Sequence, residues 1–567
     1  MNIDRRDIIK LGAAGSLAMS MPFYVRAQTA PSVVFRGGTV LPVDAAFSQH
    51  TALAIRGNKI LGVGSDADMT SLAGSGAKVI DLDGRTLLPG FIEPHLHLVL
   101  LAAFHGAVDI GPFVQATFEG AVAGLEKAFK ELSGPKSWLM GRQFDPSLLE
   151  PSRDLTIKEL DKIAPDRPAF VLNASSHVAY VNSRALALVG YTAQSKAPNG
   201  TEFGRFDDGT LNGVLFGQPA FMPILFKNPE VAKAMGPGFG AAVSRVGNTA
   251  VPLGITTITD MAAGAVTGVG ELEAIRDQYG DGSMKARVRS FIFDIGSIKL
   301  GDMEPNWGND YVRAVGWKIV ADGSNQGLTG RQRAPYVGEL SLGLHYVEPS
   351  DLIARVDEVA RAGWQLAIHG NGDASIDSIL NAVEFTTRKG FDMKSKRTRI
   401  EHCSILHDDQ IARMVELGVH PSFLINHVHY WGHAMRDNVF GTRKVQLLDR
   451  CAAVDKAGLT WTMHTDAPVS PLGTLHKIRV AVVRDLWKEP ETILAPHERV
   501  SVESAIRAVT TNAAWQCNSE GEIGTLEAGK FADMVILEED PRKVEQTAIS
   551  DIKVSETWMD GNKVYGS

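Results

Sequence analysis

The stretch Gly90-Phe91-Ile92-Glu93-Pro94-His95-Leu96-His97-Leu98 closes an apolar run with two histidines spaced i, i+2. In an extended strand, residues at that spacing point to the same face, so both imidazoles can converge on one metal ion. Alone the pair is weak evidence, because two histidines on an exposed sheet face are common. Its weight depends on the residues farther along the chain.

Downstream, short apolar runs alternate with helical patterns, the texture of βα units and a parallel sheet. Strands are expected over residues 169–173, 255–260, 288–294, 317–322, 365–369, 398–402, 419–424 and 460–466, and many of them finish in a polar or titratable residue. A barrel gathers its active site at the C-terminal strand ends, so this pattern points those groups at one shared mouth. Short strands with Gly and Asn turns lie on both sides of this region, and neither set is long enough to bury a core alone. The fold class expected is therefore α/β: a distorted (β/α)8 TIM barrel over 89–519, with a composite β-sandwich domain built from 30–88 and 520–567. An insertion over about 105–250, with a helix near 120–132 and a Gly/Asp loop at 204–209, is expected to cover the mouth.

The first residues stand apart. Asp4-Arg5-Arg6-Asp7 precedes a modestly apolar segment, 11–23, and Val25-Arg26-Ala27 places small residues where a signal peptidase reads them. Residues 1–27 are read as a twin-arginine signal, which implies the twin-arginine export machinery as a partner and a periplasmic location. Only Cys403, Cys451 and Cys517 are present, too few for a disulfide framework and consistent with folding in a reducing compartment. The formal net charge of -8 and the scattered lysines and arginines give no basic stripe for nucleic acid. No run is long and apolar enough for stable membrane insertion. The oligomeric state stays open, a homodimer included.

Taken singly, His369, His402 and Asp466 each have an ordinary structural reading. Their order changes this: HxH on an early strand, Lys318 in the middle, two later strands ending in histidine and a last one ending in aspartate. With GFIEPHLHL at 90–98, SSHVAYVNSRAL at 175–186, KIVADGS at 318–324, AIHGNGDASID at 367–377, RIEHCSIL at 399–406, PSFLINHVHYWG at 421–432 and HTDAPVSPLG at 464–473, the chain resembles the amidohydrolase superfamily over nearly its full length. The branch it resembles includes the N-substituted formamide deformylases. The resemblance implies His95, His97, His369 and His402 as metal ligands, Asp466 as ligand and general base, and Lys318 as a carboxylated lysine bridging two metals. Imidazoles and carboxylates suit one or two Zn²⁺ ions, with other divalent metals open. A lysine ammonium would repel such cations, whereas its carbamate is anionic. A salt-bridged barrel lysine beside a single metal is the plain alternative.

For substrate selection, His177 on the insertion side is read as a substrate or intermediate contact, and hence as catalytic with Asp466. The resemblance also implies His427, with Tyr430 and Trp431, as pocket-facing; packing is as good a reading for the two aromatics. Phe144, Phe206 and Trp317 are further candidates for an apolar pocket, and Cys403 is read as core packing. Relatives commonly carry Asp-Ser where this chain has Glu93-Pro94, an acidic residue at His433, and in some cases Glu at Gln218. The function expected is an exported metal-dependent hydrolase of a non-peptide C–N bond, in an N-acyl or N-formyl amide with a hydrophobic substituent. Ester, lactone or carbamate hydrolysis on the same site, and a non-catalytic periplasmic binding or regulatory protein, are the rivals.

Overall fold

The computed structural model describes residues 31–134 and 136–566, and the expected export signal lies outside them. Eight parallel strands form the central sheet in chain order: β1 (Phe91–Leu96), β2 (Ile255–Ala263), β3 (Arg287–Phe293), β4 (Val312–Val320), β5 (Gln365–Gly370), β6 (Arg399–His402), β7 (His420–Phe423) and β8 (Thr462–Met463). A single bridge between Leu96 and Ala467 brings the last strand back to the first, so the barrel is nearly closed. Several of these strands, such as β3 and β5, are buried along their whole length, as a sheet covered on both faces requires. The helix after β5, Asp373–Arg388, shows why: Ile376, Ile379, Leu380 and Val383 recur at helical spacing and are buried in the barrel core.

Gly90, at the head of the opening motif, is needed for close approach. A Cβ there would meet the Thr256 side chain at 2.1 Å, so no larger residue fits where β1 enters beside β2.

Two further sheets flank the barrel floor. One pairs four N-terminal strands between residues 32 and 81. The other joins Thr39–Val40 and Thr86–Pro89 to Met534–Leu537, Val554–Met559 and Asn562–Tyr565, so the two ends of the described chain share one sheet. Phe35 and Trp558 meet edge to face at 5.1 Å in the core between them. Arg287, buried at the start of β3, ties this domain to the barrel through ion pairs to Asp533 at 2.6 Å and Asp560 at 3.0 Å.

Between β1 and β2 the chain builds a six-stranded sheet of its own, running from Val108–Asp109 to Leu211–Phe216 and followed by helices that include Gln218–Leu225 and Pro229–Ala234. One expectation is corrected here. Ala169–Asn173 is a strand of this sheet and not of the barrel, pairing with Leu139–Phe144 and Val178–Val181. Its unbroken apolar run suits any strand buried on both faces, which is why sequence alone could not assign it.

Candidate active site

The metal-ligand candidates meet at the C-terminal ends of the barrel strands. Alternation along β1 sends His95 and then His97, just past the strand end, towards the mouth, with their rings edge to face at 5.3 Å. Asp466, after β8, places Oδ1 3.1 Å from His95 Nε2 and 3.0 Å from His97 Nε2. Its other oxygen lies 3.8 Å from His402 Nδ1. The His369 ring, on β5, is 4.4 Å from that of His402 and 4.7 Å from that of His177, which reaches in from the insertion. Lys318 on β4 faces the same chamber. His402 and Asp466 adopt φ of 66° and 55°, so the chain turns sharply where each strand ends. That left-handed geometry is strained for non-glycine residues and is held by the surrounding structure.

A ring of residues that sequence reading did not assign orients these ligands. The Nδ1–H of His95 donates to Glu401 at 2.7 Å, and Glu401 is in turn paired with Arg399 at 2.7 Å. The Nδ1–H of His369 donates to Asp322 at 2.9 Å, while Asp322 also accepts the backbone N–H groups of Arg331, Asn371 and Gly372. Such partners fix the tautomer and leave Nε2 as a lone pair, which on His369 accepts from Asn371 Nδ2 at 3.2 Å. His464 stacks on His95 at 4.3 Å. Only the position of Glu401 directly before His402 hinted at this shell. Arg399 and Glu401, two apart, share one face of β6, and the turn at His402 lets its neighbour reach the site as well.

The electrostatics follow from this arrangement. Burial pushes His369, His402 and His177 well below the ordinary imidazole range, which keeps them neutral. Burial opposes ionisation of Asp466, but His95 and His97 outweigh it and hold the carboxyl well below the usual range. Burial also pulls the Lys318 amine down to about 8. His95 Nε2, His402 Nδ1, Lys318 Nζ and Asp466 Oδ1 are buried without hydrogen-bond partners. The three of these on His95, His402 and Asp466 face one chamber and form a donor set that fits a divalent cation, with the Lys318 amine beside them. His95, His97 and Asp466 bring one ligand atom each within 4.8 Å of one another.

The chamber holds about 990 Å³, mouth included, and away from these groups its wall is apolar. Leu100, Phe104, Leu172, Phe221, Leu225 and Phe226 line it, most of them from the insertion and its helices, and Gln218 faces it from the start of one helix. On the other side of Asp466 a small polar niche is lined by His427, Asn371, Ser324 and Gln326.

Several expected pocket residues do not face either space. Trp317 alternates with Lys318 along β4 and so points outward, packing against Trp364 at 5.6 Å with its indole N–H on Asp294. Trp431 is buried edge-on behind His427 at 5.7 Å and donates to Asp145, while Tyr430 packs between Phe113 and Trp487. The wide helical turn His427–Trp431 presents only its first residue to the niche. Phe144 sits in the insertion core between Phe118 and Tyr180, and Phe206 lies under the Lys158 ammonium. His433 lines neither space. Glu93 is also elsewhere: it forms a fully buried ion pair with Lys477 at 2.7 Å and accepts the Thr465 N–H. Cys403 is a buried free thiol within the barrel core.

Converging imidazoles and a carboxylate at a barrel mouth define the class: a metal-dependent hydrolase. The Amidohydrolase family matches residues 78–565, and the chain belongs to that family. It is a hydrolase of carbon–nitrogen bonds other than peptide bonds. It is similar to the N-substituted formamide deformylase of Arthrobacter pascens, 27% identical over 92% of this chain and 96% of that protein. It is also similar to protein LONG AFTER FAR-RED 3 of Arabidopsis thaliana, 26% identical over 93% of this chain and 90% of that one. Among solved structures, an uncharacterised metal-dependent hydrolase from Pyrococcus horikoshii OT3 superposes with a TM-score of 0.69 at 22% identity, covering 91% of this chain and 99% of that one, a likeness of fold.

Proposed function

We propose that this protein hydrolyses a small N-acyl or N-formyl amide that carries an apolar substituent, with His95, His97, His369, His402 and Asp466 holding one or two divalent ions, Zn²⁺ or a similar metal. The observation that carries the reading is Asp466 Oδ1, buried between the Nε2 atoms of His95 and His97 and open to a chamber with an apolar wall. Bound there, the cation supplies Lewis acidity, making water a better nucleophile and the carbonyl a better electrophile near neutral pH.

The protein's own groups do the rest. Asp466 takes a proton from the attacking water and returns it to the leaving nitrogen, a transfer that typically contributes about 10² to 10⁴ in rate. His177, whose Nδ1 is buried without a partner, offers a hydrogen bond to the carbonyl oxygen as charge develops on it. The apolar wall receives the substituent and excludes water. Lys318 is proposed to be carboxylated: burial lowers its amine to about 8, which makes the neutral form that captures carbon dioxide accessible, and its Nζ has no partner. The amide preference is supported by the similarity to the formamide deformylase. Export through the twin-arginine pathway to the periplasm belongs to the same proposal and rests on Arg5-Arg6 and the segment after them.

Assay of the metal-loaded protein against N-formyl amines, N-acyl anilides, lactones and carbamates tests the reading. Preferred turnover of the amides is expected. Turnover confined to lactones or carbamates would reassign the substrate, and failure of every class would overturn the N-acyl or N-formyl amide reading.

A further inference from the structure

The niche beside Asp466 contains a hydrogen-bond chain whose proton positions are forced. Asn371 Nδ2 lies 3.0 Å from the carbonyl of Gly323, which can only accept, so this end of the amide is the NH₂. Asn371 Oδ1 must then be the acceptor of the contact with Ser404 Oγ at 2.7 Å, and that contact uses the only proton of the hydroxyl. Ser404 Oγ also lies 3.3 Å from His427 Nδ1 and has only lone pairs left, so the imidazole donates there. His427 is buried and no carboxylate among the described residues lies within ion-pair distance of it, so the ring is neutral and carries a single proton. That proton is on Nδ1, and Nε2 is a bare lone pair with no partner among the described residues.

We infer that His427 Nε2 accepts the N–H of the scissile amide, which makes His427 the residue that selects secondary amides over tertiary ones. The inference rests on the amide-hydrolase reading. Its logic is that the niche and the large chamber share Asp466, His369 and His402, so the reacting group lies between them. A secondary amide has one donor, its N–H. The carbonyl oxygen cannot pair with a lone pair, and the apolar substituent is accommodated by the opposite wall. A fixed acceptor in a buried niche penalises a substrate that brings no donor, because the lone pair is then left unmatched. Trp431, edge-on behind the ring, and Ser404, on its Nδ1, hold the imidazole in this orientation.

The test compares an N-alkylformamide with its N-methyl counterpart on metal-loaded wild-type, His427→Leu, His427→Gln and Ser404→Ala proteins. The wild type is expected to favour the secondary amide in kcat/KM by about 10² or more. His427→Leu should bring that ratio within about tenfold, mainly by losing activity on the secondary amide, and His427→Gln, whose Oε1 still accepts, should restore part of it. Ser404→Ala frees the tautomer and should lower the ratio. Histidine-selective ¹⁵N NMR, with His427 assigned by difference against His427→Gln, should show a protonated Nδ1 and a bare Nε2. A protonated Nε2 overturns the inference. So does a ratio that survives in His427→Leu, since leucine preserves the bulk and survival would mark steric exclusion alone. If the wild type turns over neither amide, the amide-hydrolase reading falls and takes the inference with it; turnover of both at similar rates overturns the inference alone.

Discussion

In the proposed mechanism Asp466 does two things, hold a cation and move a proton, and the two can be separated. Asp466→Asn keeps a carbonyl oxygen able to ligate but loses the basic site. We expect kcat to fall by about 10² to 10⁴ while metal analysis still finds part of the cation; unchanged turnover would place the base elsewhere. Glu401→Gln keeps the shape and weakens the acceptor beneath His95, so metal affinity should fall about 10- to 100-fold in a competition titration with a chelating dye. Away from the site, His420 gives a pH prediction. Burial pulls its pKa from the ordinary 6.5 to about 4, and the Thr460 N–H donated to Nδ1 favours the same neutral ring. Its folded state therefore favours the neutral ring. The stability tied to this is fully present above about 6.5 and is lost as pH falls from there towards about 4, on the order of 3 kcal/mol. Urea denaturation of wild type and His420→Gln at pH 7.5 and pH 4.5 should show a smaller acid loss in the variant.

At the scale of elements, β1 and the helix after β8, Thr474–Val483, are joined by the buried Glu93–Lys477 pair. Lys477→Met would leave Glu93 charged and alone in the core, and should destabilise the protein by about 3–5 kcal/mol. Adding Glu93→Leu should recover most of that loss in the same denaturation assay; no recovery would mean that the damage is to packing. This pair also shows where sequence reading stopped. Period-two alternation and polar strand ends brought HxH, His369, His402 and Asp466 forward as candidates, and the resemblance to the amidohydrolases added Lys318 and implied their ligand roles. Inward and outward faces were harder to assign. Trp317 can be placed by alternation with Lys318 only once the face of Lys318 is known, and Tyr430 and Trp431 lie on a wide turn whose phase no simple period gives. Glu401 and Asp322 were missed because no motif marks them; they are visible only as partners of the ring nitrogens opposite the chamber.

For the whole molecule, the parts cooperate through the ends of one barrel. The floor is tied by Arg287 to a sheet built from both ends of the described chain, and the mouth is covered by the insertion that supplies His177 and most of the apolar wall. The bracketing of the barrel by two strand-rich segments was readable from turn residues. The separate sheet of the insertion was not, since its strands look like barrel strands in composition. Barrel, insertion and site are united by the cation they are arranged to hold. The most direct measurement is metal content against amide turnover in one preparation, before and after chelation and after readdition. The account predicts one to two divalent ions per chain, activity that disappears in proportion to metal removed, and its return on readdition. Full activity in protein free of metal would contradict it.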